Sequence, residues 1–220
     1  MAKVVTFTSS LDTINSFLLI ENKIIIIDSG YGKHYKKILN YFKSNHIDKS
    51  LISLIILTHA HLDHYDNAIK LKNYFQVPIL VNKTAEYHFS NGTNEFTRPK
   101  NFFAAIQKLF FYKVKINKIN PDITVDNKFN LSKYGIDGSV LPTPGHTEGS
   151  LSVIFNKDEC LSGDLFVNLY INNKSAWFRN NDKQYLNSIH KLKELKIQKI
   201  FPSHGKPFIF PNHHKKVYSQ

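Results

Sequence analysis

Four side chains of types that commonly bind metals lie within six residues of one another, in the stretch THAHLDH. His59 and His61 are two positions apart, and Asp63 and His64 follow directly. Side chains two apart in an extended segment point to the same side, so His59 and His61 can bind one cation together. If the chain then turns, Asp63 and His64 reach a point a few ångströms away. The spacing therefore favours two adjacent metal ions over one.

Two metal sites need more ligands than this stretch supplies, and three later loops offer candidates. His146 lies in LPTPGHTEGS, Asp164 in CLSGDLF and His204 in IFPSHGKPF. Each follows a strand-like segment, and active sites of open α/β folds collect at such junctions. A lone loop histidine or aspartate usually binds nothing, but together with the early cluster these residues predict a two-metal site.

The segments that must position these ligands alternate between strand and helix. Periodicity and β-branched content predict strands at 4–7, 16–20, 23–27, 51–57, 77–81, 123–125, 139–141, 151–155, 159–162 and 197–201. Helical spacing predicts helices over 33–44, from about Asp66, and over 183–195. The β-α-β-α-β order of the first third predicts a layered α/β fold.

Between about 84 and 118 the pattern changes to a helical, aromatic-rich insertion. Its stretch FFAAIQKLFFY has helical apolar spacing, which favours a helix packed on the core over a hydrophobic lid. No linker or repeat interrupts the chain. We therefore expect a single domain over residues 1–220.

Composition narrows the class of protein. The single cysteine, Cys160, excludes an intramolecular disulfide and fits a reducing cytoplasm. No apolar run approaches the roughly 18 residues of a membrane span, and the first residues lack the apolar core of a signal peptide. We expect a cytoplasmic protein without membrane contact. The net charge of +12 comes from scattered lysines, which favours a generally basic surface over a nucleic-acid site, and attraction of acidic small molecules stays open.

The motifs HxHxDH, TPGHT, SGD and PSHG, in that order, resemble those of the metallo-β-lactamase fold superfamily. Its members include glyoxalase II-like thioesterases, lactonases, β-lactamases, tRNA 3′-processing nucleases and alkyl-sulfatases. The resemblance covers nearly the whole chain. It implies an α/β (α+β) fold, a four-layer αββα sandwich of two mixed β-sheets flanked by helices.

The resemblance also implies a role for each candidate ligand. It assigns His59, His61 and His146 to one metal, Asp63, His64 and His204 to the other, and Asp164 to a bridge between them. Asp28, at the end of IIIIDSG, would orient the ligand loop by hydrogen bonds from outside the ligand set. The implied cofactor is a pair of Zn²⁺ ions, with iron or manganese as alternatives.

The implied activity is hydrolysis, in which a hydroxide held between the two metals attacks an electrophilic carbon or phosphorus. Asp63 would be a metal ligand, a proton acceptor, or both. Two positions differ from those of known groups and argue against membership of these groups. Asp164 stands where class B1 β-lactamases carry Cys, and Val167 stands where quorum-lactone hydrolases carry Tyr. The Gly-Arg pair typical of glyoxalase II after GD is absent. The favoured function is a binuclear metallo-hydrolase that acts on an ester, thioester or lactone bond of a small molecule.

Three alternatives stay open. They are a phosphodiesterase or nuclease of the same fold, a mononuclear iron sulfur dioxygenase, and a non-catalytic, metal-stabilised binding module. We expect a small-molecule substrate; nucleic acid is the less favoured partner, and the oligomeric state is open. The candidate substrate contacts are Tyr31, Tyr65, Tyr170, Trp177, Phe178 and Arg179.

Overall fold

The computed structural model describes residues 1–9, 14–100, 102, 104–105, 117–169 and 174–210. The strands in these ranges are β1 (Lys3–Thr8), β2 (Asn15–Ile20), β3 (Ile24–Ile27), β4 (Ile52–Ile56), β5 (Ile79–Asn82), β6 (Arg98–Pro99), β7 (Ile123–Val125), β8 (Phe129–Asn130), β9 (Gly138–Pro142), β10 (Leu151–Phe155), β11 (Glu159–Leu161), β12 (Val167–Asn168), β13 (Phe178–Arg179), β14 (Lys199–Phe201), β15 (His204–Gly205) and β16 (Phe208–Ile209). The α-helices there are α1 (His34–Ser44), α2 (Leu62–Tyr65), α3 (Ala68–Phe75), α4 (Glu86–Asn91) and α5 (Asp182–Glu194).

Two six-stranded mixed sheets form the frame. The first has the order β1-β2-β3-β4-β5-β7, with antiparallel pairing up to β3 and parallel pairing beyond it. The second has the order β16-β14-β11-β10-β9-β8, in which only the β11–β14 pair is parallel. The pairs β12–β15 and β6–β13 form two small ribbons.

The run Ile24–Ile27 in β3 shows how sequence produces the layers. Ile24 and Ile26 pack into the cluster beneath the helices, whereas Ile25 and Ile27 pack into the cluster between the two sheets. Successive side chains of a strand point to opposite faces. A strand covered on both faces is therefore apolar at every position.

Helices cover the outer face of each sheet. On the first sheet, α1 and α3 bury Ile38, Phe42 and Leu71. On the second, α5 buries Ile189 and Leu192 against a cluster that also contains Cys160. Each such side chain contributes about 1.5–3 kcal/mol of transfer free energy when it is fully buried. The predicted αββα sandwich of two mixed sheets is confirmed.

Most predicted elements lie within two residues of the observed ones. The strands at 123–125 and 151–155 coincide with β7 and β10, and the last predicted helix is shifted from α5 by one residue. The helix predicted over FFAAIQKLFFY lies mostly outside the described residues, so the described part of the 84–118 segment shows chiefly α4 and β6. The single domain stays a prediction. None of the described helices is both long and apolar enough to cross a bilayer.

Candidate metal centre

The early histidine cluster lies where the central strand β4 leaves the first sheet. His59 and His61 lie on the segment that follows β4, and His61 has an extended backbone with φ −118° and ψ 145°. Helix α2 then begins at Leu62 and carries Asp63 and His64. The predicted change from extended chain to turn is therefore present, although the turn is a short helix that the pattern did not predict.

The other candidate ligands lie in segments that follow strands of the second sheet. His146 follows β9, Asp164 lies in the 3-10 turn Gly163–Leu165 after β11, and His204 is the first residue of β15, shortly after β14. These loops meet the histidine cluster, and all seven predicted ligands belong to groups whose donor atoms lie within 4.8 Å of one another. Ligands that are far apart in the chain thus converge from both sheets.

His59, His61 and His146, here called the first ligand group, form a nearly equilateral triangle of nitrogens. His59 Nε2 lies 3.0 Å from His61 Nδ1, and His146 Nε2 lies 3.2 Å from each of them. Two nitrogen ligands of one tetrahedral zinc ion are separated by about 3.3 Å, since each Zn–N bond is about 2.0–2.1 Å long. The triangle has the dimensions of one face of such a site.

Hydrogen bonds fix the proton of His59 on the nitrogen that points away from the triangle. Thr58 Oγ1 donates its only proton to Asp28 Oδ2 at 2.8 Å. The hydroxyl must therefore accept from His59 Nδ1, which lies 3.0 Å away. This leaves a lone pair on His59 Nε2, at the triangle.

Backbone carbonyls do the same for the other two histidines. His61 Nε2 donates to the carbonyl of Glu95 at 3.1 Å, and His146 Nδ1 donates to the carbonyl of Phe178 at 2.7 Å. A carbonyl oxygen can only accept, so both imidazoles turn a lone pair towards the triangle. Three lone pairs at about 3 Å from one another, with no proton between them, fit a cation at this point.

Burial keeps the first ligand group neutral. It lowers the pKa of His59 well below the usual value, that of His61 to about 4, and that of His146. The neighbouring imidazoles lower these values further, while Asp164 and other carboxylates act in the opposite direction. At neutral pH the group thus offers neutral nitrogen donors, as metal binding requires.

Asp63, His64 and His204, here called the second ligand group, mix carboxylate and imidazole. His204 Nε2 lies 3.5 Å from Asp63 Oδ2, and His64 Nε2 lies 3.8 Å from Asp63 Oδ1. The Asp63 side chain is 30% exposed, so this group is open to solvent at its carboxylate.

Asp164 lies between the two groups. Its Oδ2 is 3.2 Å from His204 Nε2 and 3.6 Å from His146 Nε2, and its Oδ1 is 3.5 Å from His64 Nε2. Asp164 Oδ1 and His64 Nε2 are buried and have no hydrogen-bond partner among the described residues. Such buried orphan atoms are rare in proteins and often mark an ion site. The donor set therefore fits divalent cations in both groups.

Charges in the second ligand group reverse the pKa pattern of the first. Burial disfavours the charged form of His64, but Asp164, Asp63 and Asp28 outweigh it and raise the pKa of His64 to about 9. Asp164 and Asp63 likewise raise the pKa of His204 well above its usual value. In return, the imidazoles lower the pKa of Asp63 and of Asp164 in spite of burial. This group attracts positive charge, which protons or metal ions can supply.

Asp28 lies beneath both groups and is fully buried, with φ +55°. Its Oδ1 accepts from the Thr58 backbone N–H at 2.8 Å. Its Oδ2 accepts from the Thr58 hydroxyl, from His64 Nδ1 at 2.8 Å and from the Ser203 hydroxyl at 3.3 Å. One carboxylate thus orients His59 through Thr58 and His64 directly.

Two glycines allow the ligand loops to pack closely. Gly145, next to His146, has φ +136°, and a Cβ there would lie 2.3 Å from the Cα of Tyr185 in α5. Gly163, next to Asp164, has φ +54°, and its Cβ would lie 3.0 Å from the Cβ of Thr58. Any side chain at these two positions would be strained in its backbone and crowded.

A family model described as the metallo-β-lactamase superfamily matches residues 10–204, which include every candidate ligand. The chain belongs to the metallo-β-lactamase superfamily. It is 31% identical over 198 residues to the probable metallo-hydrolase MJ0888 of Methanocaldococcus jannaschii, and the match covers 87% of each chain. It is 26% identical over 189 residues to a hydroxyacylglutathione hydrolase of Bartonella henselae, with 83% of this chain and 62% of that enzyme covered.

Solved structures of the superfamily share the architecture. The crystal structure of BLEG-1, a B3 metallo-β-lactamase, superposes with a TM-score of 0.70 at 21% sequence identity. The superposition covers 95% of this chain and 94% of the other. At this identity the likeness shows the fold, whereas the match of the family model to the sequence shows membership of the metallo-β-lactamase superfamily.

The predicted substrate contacts differ in their surroundings. Tyr31 is exposed, and Trp177 is half-buried. The guanidinium of Arg179 lies 3.1 Å from Asp182 and 4.8 Å from the centre of the Tyr185 ring. These three residues stay predictions, whereas Tyr170 lies outside the described residues.

The structure shows a hydrogen bond for each of the other two predicted aromatic residues, Tyr65 and Phe178. Tyr65 is fully buried and its hydroxyl donates to the carbonyl of Thr93, and its role as a substrate contact stays a prediction. Phe178 takes part through its backbone, as the acceptor for His146.

Sequence reasoning missed several residues that hold the ligand loops. Asn15 donates through Nδ2 to the carbonyls of Pro202 and Gly205, on either side of His204. Glu95 contacts the loops of His61 and His146. Neither residue belongs to a recognisable metal motif, and both act across long sequence separations.

Proposed function

We propose that this chain is a binuclear metallo-hydrolase that acts on an ester, thioester or lactone bond of a small molecule. The observation that carries the proposal is the convergence of three neutral imidazole lone pairs beside a second group of one carboxylate and two imidazoles, with Asp164 between the two groups. Zinc is the favoured metal, because three imidazole nitrogens with a carboxylate nearby form a typical zinc donor set. When bound, a pair of divalent cations would supply a water acidic enough to react at neutral pH and would polarise the substrate.

The chain's own residues prepare this chemistry. Asp28 and Thr58 hold the proton of His59 away from the triangle, and the Phe178 carbonyl does so for His146. Asp63 is the ligand carboxylate most open to solvent. Burial raises its pKa, but His64 and His204 lower it further, so Asp63 is ionised at neutral pH and is available as a carboxylate ligand.

Thioesters are the first substrates to test among the three classes. The similarity to a hydroxyacylglutathione hydrolase supports this order, because an acylglutathione is a thioester. The stretch after Gly163-Asp164 reads LFVNLY and lacks the Gly-Arg pair typical of that group. We therefore propose a thioester whose thiol part is not restricted to glutathione.

A second candidate uses fewer metals. His59 and His146 lie with their Nε2 atoms 3.2 Å apart, and Asp164 Oδ2 lies 3.9 Å and 3.6 Å from them. Two imidazoles and one carboxylate on one face form the ligand pattern of mononuclear iron oxygenases. A sulfur dioxygenase is therefore the alternative to a hydrolase.

Elemental analysis separates the two functions. The protein is purified without added metal, its metal content is counted, and a panel of thioesters, esters, lactones and phosphodiesters is assayed with and without chelator. Two zinc ions per chain and chelator-sensitive thioester, ester or lactone hydrolysis would support the proposal. One iron per chain with oxygen consumption on a thiol substrate would replace it by the alternative. A fully loaded protein that cleaves only phosphodiesters, or nothing, would contradict it.

A further inference from the structure

Glu95 is a buried carboxylate that joins two ligand loops. It is only 4% exposed and lies in the segment between α4 and β6. Its Oε2 accepts from the backbone N–H of Ala60 at 2.9 Å, and its Oε1 accepts from that of Gly149 at 2.8 Å. Ala60 lies between His59 and His61, and Gly149 lies three residues after His146. One side chain therefore connects the loops that supply the first ligand group.

The backbone of Glu95 holds the same loop. Its N–H donates to the carbonyl of Ala60 at 2.9 Å, which makes the contact with Ala60 reciprocal. Its carbonyl accepts from His61 Nε2 and so fixes the nitrogen on which His61 carries its proton. Glu95 thus controls both the position of the loop and the direction of one lone pair.

Space around the Glu95 carboxylate is limited on the side of the His146 loop. A Cβ at Gly149 would lie 2.9 Å from Glu95 Oε1 and 2.4 Å from the Cβ of Ala85. The close approach of carboxylate and backbone thus depends on glycine at this position. An aspartate at position 95 is one methylene shorter and cannot keep both contacts of Glu95 unless a loop moves.

The described part of the chain offers Glu95 no ion pair. Within the described ranges no Lys, Arg or His side chain lies at ion-pair distance from it. A buried carboxylate without a nearby cation is costly, and backbone N–H donors offset only part of that cost.

We propose that Glu95 is a positioning residue for the metal of the first ligand group: it ties the loops of His61 and His146 together and does not bind the metal itself. This inference rests on the metal site proposed above. It predicts that changes at Glu95 alter metal affinity and coordination geometry in a protein that is still folded.

The experiment measures Zn²⁺ affinity, by competition with a chromophoric chelator, and the visible spectrum of the Co²⁺-loaded protein. Glu95→Gln keeps the shape but turns one acceptor into a donor, so either Ala60 or Gly149 loses its partner. Glu95→Asp keeps the charge but shortens the reach. We expect about 10–100-fold weaker Zn²⁺ binding in both, the cost typical of an outer partner of a metal ligand, together with altered Co²⁺ absorption bands.

The matched control is Glu148→Gln, because Glu148 is exposed and precedes Gly149 directly. It should bind Zn²⁺ like the wild type. Circular dichroism and thermal unfolding show whether each variant is folded, and Glu95→Asp gives the comparison if Glu95→Gln does not fold. Folded Glu95 variants with wild-type Zn²⁺ affinity and an unchanged Co²⁺ spectrum would overturn the inference, even if they melt earlier. If the wild-type protein binds no metal, both this inference and the proposed function are overturned.

Discussion

The two ligand groups lie side by side but are prepared for metal in opposite ways. In the first, every proton is placed on the outward nitrogen, and burial lowers the pKa of His61 to about 4. In the second, carboxylates raise the pKa of His64 to about 9, so the metal-free group holds protons at neutral pH. The first group is also the more enclosed, since the Asp63 side chain of the second is 30% exposed.

Under the proposed function, this difference suits the two groups to different tasks. A site that holds no protons binds a cation without displacing any, so the first group is suited to permanent occupation. Under the proposed function, the second group exchanges protons for metal, and its Asp63 carboxylate is open to solvent. The expected consequence is ordered binding, with the first group filled first.

The largest expected effect is at the first group. We expect His61→Ala to lose metal and nearly all hydrolytic turnover, because the triangle loses one of its three nitrogens. The loss should exceed the roughly 10–100-fold that follows when only an outer partner of a ligand is removed. Metal content by elemental analysis and turnover on the best substrate check this, and full activity in His61→Ala would refute the assignment.

Removal of a ligand from the second group should reduce the metal content less than His61→Ala does. We expect His204→Ala to retain about one metal per chain, bound by the intact first group, while its turnover falls strongly. Titration of the metal-free variant with Zn²⁺ gives the stoichiometry. Loss of both metals in His204→Ala, or retention of both, would break the distinction between the groups.

Asp28 contacts His59 of the first group through Thr58 and His64 of the second group directly. One variant can therefore disturb the first group alone, and another can disturb both groups. Thr58→Val removes only the link between Asp28 and His59, so it should weaken the first group. Asp28→Asn should also disturb His64, which donates to the same carboxylate.

We expect about 10–100-fold weaker metal binding for each affected group. Zn²⁺ titration of the two variants in parallel measures this. Equal effects of both variants on both sites would show that the sites are not oriented separately.

The last predictions concern the pH dependence of stability in the metal-free protein and not metal binding or turnover. His61 has a folded pKa of about 4, below the unfolded value of about 6.5, so its contribution to stability is present above pH 6.5 and is lost as the pH falls towards 4. His64 has a folded pKa of about 9, so its contribution is present below pH 6.5 and is lost as the pH rises towards 9. Each effect amounts to a few kcal/mol at most, since one pKa unit corresponds to about 1.4 kcal/mol.

Opposite shifts should therefore follow from replacing the two histidines. After chelation, His61→Asn should move the pH of maximum stability downwards, and His64→Asn should move it upwards. Urea unfolding midpoints at about pH 5, 6.5 and 8.5 measure both shifts. If the two variants shift the optimum in the same direction, the groups do not differ in protonation.

The sequence predicts an element well when the pattern of that element extends over several neighbouring residues. The strands β7 and β10 were predicted because a half- or fully buried strand leaves a periodic pattern of several residues. Two-residue strands such as β12 and β15 leave no such pattern, and they arise only because His204 is brought beside Val167 by the folded chain.

The candidate site shows the same limit. Residues 59–64 form a compact motif whose residue types and spacing predict metal binding. Glu95 contacts Ala60 across 35 positions, and Asn15 reaches the His204 loop across nearly the whole chain. Such contacts are set by the packing of two sheets, and one sequence contains no local pattern for them.

Because the candidate ligands come from segments of both sheets, metal binding should affect the stability of the fold. His59 and His64 follow strand β4 of the first sheet, whereas His146, Asp164 and His204 follow strands β9, β11 and β14 of the second, so a bound cation would link the two halves of the sandwich. The free energy of binding then adds to that of folding, by about 2.7 kcal/mol when free metal is at 100 times its dissociation constant. The melting temperature of this fold should accordingly rise with the zinc concentration of its surroundings.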